Sequence, residues 1–164
     1  IIDLLRRAGI EVVTAGLAGR TVHAAHQVIV QADATLDQAA GKDYDMVVLP
    51  GGMPGAEHLN NDPRVHDVLK RTVQRGAPVA AICAAPIVLE KAGLLKGRKA
   101  TSYPGFLDKM DLPDVEYTGA SVESDGPIIT SKGPGTAMDF ALALIERLLG
   151  RAERDKVEKG LMRP

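Results

Sequence analysis

Short apolar runs alternate with amphipathic segments along this chain of 164 residues. Apolar runs flanked by Gly, Pro or charged residues are typical of buried strands, whereas apolar residues spaced by three and four predict helices. We therefore predict an α/β sandwich around a mostly parallel sheet. The predicted strands cover residues 11–17, 27–31, 45–50, 79–82, 99–103 and 115–118, and a hairpin over 122–131 turns at Asp125-Gly126.

Capping signals locate the helices between these strands. Thr35 and Gln38 have the spacing of a capping box, and Pro63 suits the first position of a helix that ends at Gly76. Residues 136–149 carry an apolar stripe at helical spacing, and the charged segment 151–159 predicts a terminal helix.

The chain opens in what resembles the second half of an amphipathic helix. A doubly wound sheet usually holds its first strand in the interior, and nothing caps this helix before Ile1. We therefore expect residues 1–164 to form a single domain whose first strand lies upstream of Ile1. The apolar face at Ile1, Ile2 and Leu5 fits either a core contact or a dimer contact.

The composition of the chain argues against several classes of function. A net charge of −1 argues against a broad nucleic-acid footprint, and no nucleic-acid-binding motif occurs. No apolar run approaches the roughly 20 residues that span a membrane. A single cysteine excludes an intramolecular disulfide and a multi-cysteine zinc site, which favours a reducing, cytoplasmic compartment. The four histidines show no metal-ligand spacing, so no metal is predicted.

That one cysteine, Cys83, follows the predicted strand 79–82 and precedes a helix whose first turn contains Pro86. Free backbone N–H groups and the positive end of the helix dipole favour a thiolate there. A buried structural cysteine is the alternative, because free cysteine behaves as a small hydrophobe. Position alone leaves both interpretations open.

Two glycine-containing loops leave other predicted strands at the same edge of the sheet. Gly51-Gly52 follows the strand 45–50, and residues 133–136 open the last long helix. Because glycine has no Cβ to shield its amide, Gly52 could donate to an oxyanion, although a simple tight turn explains each loop equally well. No phosphate-binding, dinucleotide-binding or hydrolase-elbow motif occurs, so no cofactor is predicted.

Three segments taken together resemble a known family. Residues 48–52 (VLPGG), 80–86 (AAICAAP) and 130–136 (TSKGPGT) resemble the ThiJ/PfpI superfamily, in particular the branch of the Parkinson's-disease protein deglycase and bacterial YajL-type proteins. The likeness runs from Ile1 to about Gly150. It implies a flavodoxin-like three-layer sandwich, usually a homodimer, and a cofactor-free enzyme that acts on glyoxals or their early adducts.

The resemblance also implies roles for particular residues. Cys83 would be the nucleophile, and the amides of Gly52 and Ala84 would hold the oxyanion. A glutamate that hydrogen-bonds the cysteine would lie upstream of Ile1. Where some relatives carry a histidine near the cysteine, this chain has Tyr103, which would either donate a hydrogen bond in the pocket or only line it.

Three functions compete on this sequence. The leading hypothesis is a glyoxalase or deglycase that uses Cys83. The second is a redox-sensing stress chaperone, because an accessible thiolate is also what peroxide oxidises. An intracellular cysteine peptidase is the third, and the tyrosine in place of a histidine weakens it.

Overall fold

The computed structural model describes residues 1–163 of this protein. The side chains of its central strand point alternately to the two faces of the sheet, and both faces are covered. All four residues of the strand Val79–Ile82 are buried. Val79 and Ala81 pack into one apolar cluster, and Ala80 and Ile82 pack into another. Successive side chains of a strand point to opposite faces of the sheet, so both faces are covered and the molecule has three layers. The predicted α/β sandwich is confirmed.

The elements follow one another in the order that the sequence predicts, with additions. The helices are α1 (Ile2–Arg7), α2 (Leu36–Ala39), α3 (Gly55–Asn61), α4 (Pro63–Gln74), α5 (Pro86–Lys91), α6 (Ala137–Leu149) and α7 (Arg151–Gly160). The strands are β1 (Ala15–Gly16), β2 (Thr21–His23), β3 (Ile29–Gln31), β4 (Ala34–Thr35), β5 (Val47–Leu49), β6 (Val79–Ile82), β7 (Arg98–Ala100), β8 (Val115–Tyr117), β9 (Val122–Asp125) and β10 (Ile128–Ser131).

A four-stranded sheet in the order β5-β6-β10-β9 forms the centre. Strand β6 pairs in parallel with β5 and β10, while β9 and β10 form the predicted antiparallel hairpin. The pairs β1–β4 and β7–β8 are parallel, and β2–β3 is antiparallel. Register places Leu49 beside Ala81, and Ile82 beside Ser131. The carboxyl ends of β5, β6 and β10 therefore meet at one edge of the sheet.

The helices cover the two faces of this sheet. Helices α4 and α5 pack on one face through Leu69 and Leu89, and helices α1, α6 and α7 pack on the other around Phe140. Leu5 is buried in that second cluster, so this part of the α1 face is a core contact. The predicted capping box of Thr35 is present.

Two predicted strands near the amino terminus are shorter than expected. Of the expected strand 11–17, only β1 is formed, and directly before it the amide of Thr14 donates to the Asp33 carboxylate at 2.9 Å. The expected strand 27–31 begins only at Ile29 and belongs to a β2–β3 hairpin that the pattern did not reveal. His26 and Gln27 turn that hairpin with φ of 57° and 63°, without the glycine that usually signals such a turn.

Candidate active site

Cys83 directly follows β6 and adopts an unusual backbone conformation. Its φ is 64°, in the left-handed region that residues with a Cβ seldom enter. Two hydrogen bonds fix this geometry: its amide donates to the carbonyl of Ser131 at 2.9 Å, and its carbonyl accepts from the amide of Tyr103 at 2.8 Å. Strained residues persist only where the surroundings over-determine them, and they cluster at functional sites. The cysteine is therefore held by the end of β10 and by the segment that follows β7.

Gly51 makes room for the cysteine. A Cβ at this position would lie 2.5 Å from the Cβ of Cys83 and 2.7 Å from the carbonyl oxygen of Ile82. Sequence reasoning assigned a role to Gly52 and not to Gly51. The Gly-Gly pair at the end of a buried strand was the available signal, because paired glycines often mark a close approach between backbone segments.

The two predicted oxyanion donors lie in the loops that meet here. Gly52 has a φ of 89° and directly follows Gly51, while buried Ala84 directly follows Cys83. Within residues 1–163, neither amide donates to another protein group. Amides without an internal partner, beside a nucleophile, suit the binding of a negatively charged oxygen.

Tyr103 lies beside the Cys83 loop. The residue is 47% exposed, and its ring meets Phe106 edge-on, with the ring centroids 6.5 Å apart. A Cβ at Gly133 would come within 3.1 Å of the same ring. The structure thus brings Tyr103 to the Cys83 loop through its backbone. The two predicted roles of Tyr103 remain open.

Cys83 itself is partly exposed and forms no disulfide. Partial exposure of the residue argues against the alternative of a fully buried structural cysteine. The described residues contain no helix long and apolar enough to cross a membrane. They also contain no cluster of three His, Cys, Asp or Glu residues that could hold a metal ion.

Comparison with known proteins identifies the family. The model of the DJ-1/PfpI family matches residues 1–147. The chain belongs to the DJ-1/PfpI family. The Parkinson disease protein 7 homolog of Danio rerio is 42% identical, over 98% of this chain and 87% of its own length. The resemblance to the ThiJ/PfpI superfamily is therefore confirmed.

Two further DJ-1/PfpI relatives bear on fold and activity. The crystal structure of Drosophila melanogaster DJ-1beta superimposes with a TM-score of 0.94 at 41% identity, covering 99% of this chain and 88% of that one. This match confirms the flavodoxin-like sandwich. The glutathione-independent glyoxalase DJR-1.2 of Caenorhabditis elegans is 35% identical, over 97% of this chain and 84% of its own length. The family thus includes a protein named for an enzyme activity.

Proposed function

We propose that this DJ-1/PfpI protein is a cofactor-free, cysteine-dependent glyoxalase and deglycase. Its substrates would be methylglyoxal and the early adducts that glyoxals form on protein and nucleotide amines. The observation that carries the proposal is the strained, partly exposed Cys83 beside two unpartnered amides. The relative that is named a glutathione-independent glyoxalase supports the same activity.

In the first step, the thiolate sulfur of Cys83 forms a bond to the aldehyde carbon of methylglyoxal. The π electrons of the C=O bond move to its oxygen, and the amides of Gly52 and Ala84 donate hydrogen bonds to the resulting oxyanion. Protonation of this oxygen gives a hemithioacetal. Because the donors are backbone groups at the ends of β5 and β6, they need no rearrangement during this step.

In the second step, a base removes the proton from the former aldehyde carbon and a proton is added to the adjacent carbonyl carbon, while the hydroxyl proton moves from the oxygen of the first carbon to that of the second. The aldehyde carbon is thereby oxidised and its neighbour reduced within one molecule, so no external oxidant is needed. The family resemblance implies a glutamate as the group that carries this proton. The product is a thioester, and attack by water on its carbonyl releases lactate and restores the thiol.

Methylglyoxal consumption with lactate detection, in the absence of glutathione, tests this proposal on the full-length protein. The Cys83→Ser variant should fold and lose turnover, because a serine hydroxyl is far less nucleophilic than a thiolate. A remote variant such as Thr72→Val should keep its turnover, since Thr72 donates only to Val68 within α4. Undiminished turnover in folded Cys83→Ser would contradict the proposal.

A redox-sensing stress chaperone is the second candidate, favoured by the free and partly exposed thiol. Peroxide would oxidise the sulfur to sulfenic and then sulfinic acid, and the same amides would stabilise the anion. Peroxide titration with intact-mass measurement tests this candidate. It fails if Cys83 stays unmodified at peroxide levels that oxidise a free thiol. A reducing, cytoplasmic compartment suits both candidates.

We also propose that the protein forms a homodimer. The β2–β3 hairpin exposes several apolar side chains, among them Val28 at 55% and Ile29 at 62%. Exposed apolar side chains concentrated in one segment favour contact with another surface. The homodimer implied by the family resemblance would cover these residues with a second copy of the chain.

A further inference from the structure

The hydroxyl groups of Thr136 and Ser131 form a hydrogen-bonded network next to the candidate active site, at the end of β10. The hydroxyls of Thr136 and Ser131 are 2.7 Å apart. The Ser131 hydroxyl donates to the carbonyl of Ser121 at 2.8 Å, and the amide of Gly133 donates to the Thr136 hydroxyl at 3.1 Å. Ser131 is fully buried and Thr136 is partly buried, so these bonds are partly protected from water.

The number of protons limits the directions of these hydrogen bonds. Each hydroxyl has one proton, and the Ser131 hydroxyl donates to the Ser121 carbonyl. The Thr136 hydroxyl then donates either to the Ser131 hydroxyl or to the carbonyl of Gly133, which lies 2.9 Å away, and it accepts from the Gly133 amide. The Gly133 carbonyl also accepts from the Thr136 amide at 3.0 Å. Hydrogen bonds joined in this way polarise and strengthen one another.

Both ends of this hydrogen-bonded network contact the candidate active site. Ser131 accepts the amide of Cys83 with its carbonyl, so it helps to fix the left-handed conformation of the nucleophile. Gly133 lies against the ring of Tyr103, closely enough that a Cβ there would press on it. Thr136 therefore links the backbone of Cys83 and the ring of Tyr103, although its own side chain lies outside the loops that carry the amide donors.

We propose that Thr136 is a positioning residue of the candidate active site, acting through Ser131 on Cys83 and through Gly133 on Tyr103. The role in turnover rests on the proposed glyoxalase function, whereas the effect on the reactivity of Cys83 does not. Loss of the hydroxyl would leave the Gly133 amide without its partner, and the Ser131 hydroxyl would keep only its bond to Ser121. The loop 133–136 and the carbonyl that holds Cys83 would then shift.

The test compares Thr136→Val with Thr136→Ser, which keeps the hydroxyl. Thr72→Val is the matched control, because it removes the hydroxyl of a buried threonine that bonds only within α4. We expect Thr136→Val to lower the kcat for methylglyoxal about tenfold with little change in KM, since small misplacements of reacting groups slow catalysis strongly. Thr136→Ser and Thr72→Val should stay within about twofold of the original protein.

The rate of Cys83 alkylation by iodoacetamide at fixed pH separates this proposal from the proposed function. We expect a fall of about threefold or more in folded Thr136→Val, with recovery in Thr136→Ser. A smaller fall, no change or a rise in Thr136→Val overturns the positioning role, and so does an equal fall in Thr72→Val. If the unaltered protein consumes no methylglyoxal, the proposed function fails while the alkylation rates still decide the role of Thr136.

Discussion

Cys83 and the pair His26–Gln27 both adopt left-handed backbone conformations although they carry a Cβ, and their surroundings are opposite. Cys83 is held by hydrogen bonds to the end of β10 and to the segment that follows β7, and it is packed against Gly51. His26 and Gln27 lie exposed at the tip of the β2–β3 hairpin, where only a local turn determines their geometry. Strain at the cysteine is thus imposed by the sheet, whereas strain at the hairpin is a property of its own turn.

This difference indicates what each region does. A conformation fixed from several elements can hold a reactive atom in place, which suits a catalytic or redox-active group. An exposed hairpin with apolar side chains suits contact with another surface. We expect the reactivity of the Cys83 region to change when its packing is altered. We expect association through the hairpin to change when its surface polarity is altered.

The largest effect is expected for Gly51→Ala. The new Cβ would contact the Ile82 carbonyl and the Cβ of Cys83, neither of which is the flexible end of a side chain. The Cys83 loop must move, and turnover of methylglyoxal should fall about 100-fold. Gly19→Ala, before the hairpin, is the control, because a Cβ at Gly19 meets nothing within 4 Å. Steady-state kinetics on folded protein would contradict the comparison if both variants lost activity equally.

The site region was largely predictable from the sequence, and the hairpin region was not. Strand β6 is a short apolar run, and Cys83 and Pro86 mark its end. The glycine pair at the end of a strand indicated Gly52 in the same way, whereas the role of Ala84 came from the family resemblance. The packing of Gly51 against Cys83 joins residues far apart in the sequence, so no local pattern predicted it. The Ser131–Thr136 bond spans only five residues, but the sequence does not show which side chains of this loop meet. The roles of Cys83, Gly52, Ala84 and Tyr103 in chemistry stay predictions.

The hairpin escaped prediction for a different physical reason. Its strands are exposed on both faces, so they lack the alternation of buried and exposed residues that identifies a strand. Its turn uses His26 and Gln27, where glycine or asparagine would be the usual signal. A partner that covers the hairpin would explain why apolar residues are present without a core to face.

Ile29→Lys should break the proposed homodimer. A lysine at this exposed apolar position would introduce a charge that is unfavourable to bury between two copies. Light scattering after size-exclusion chromatography should show a dimer for the unaltered protein and a monomer for the variant. Met110→Lys, which replaces another exposed apolar side chain with lysine, should remain dimeric. A monomeric unaltered protein, or a dimeric Ile29→Lys, would refute the assignment.

A smaller effect should separate the two kinds of strain. Cys83→Gly should be more stable than Cys83→Ala by about 0.5 kcal/mol. Glycine relieves left-handed strain of about 1–2 kcal/mol. The greater conformational freedom of glycine in the unfolded chain offsets about 0.5–1 kcal/mol of that gain. His26→Gly should gain a similar amount relative to His26→Ala, without loss of turnover. Urea unfolding provides the free energies. Equal stability of the two Cys83 variants would show that φ at this position relaxes when the sulfur is removed.

The smallest effect concerns acid. The hydrogen bonds that Thr14 donates from its amide and hydroxyl, together with nearby Arg6, hold the pKa of Asp33 below its usual value. A lowered pKa means that the contribution to stability is present above the unfolded value of about 3.9 and disappears as the pH falls further toward the folded pKa. Asp33 directly follows the strands of the hairpin, so protonation should loosen that region before the Cys83 loop.

Amide hydrogen exchange between pH 4.5 and pH 2.5, corrected for the intrinsic effect of pH, would measure this order. Protection of the Thr14 amide should decline first, while the amide of Cys83, which donates to a carbonyl in the central sheet, should stay protected until global unfolding. Asp33→Asn should exchange faster at Thr14 at neutral pH and lose the acid-dependent step. Simultaneous loss of protection at both amides would mean that the two regions unfold as one unit. The difference between the Cys83 region and the hairpin region would then not include a difference in local stability.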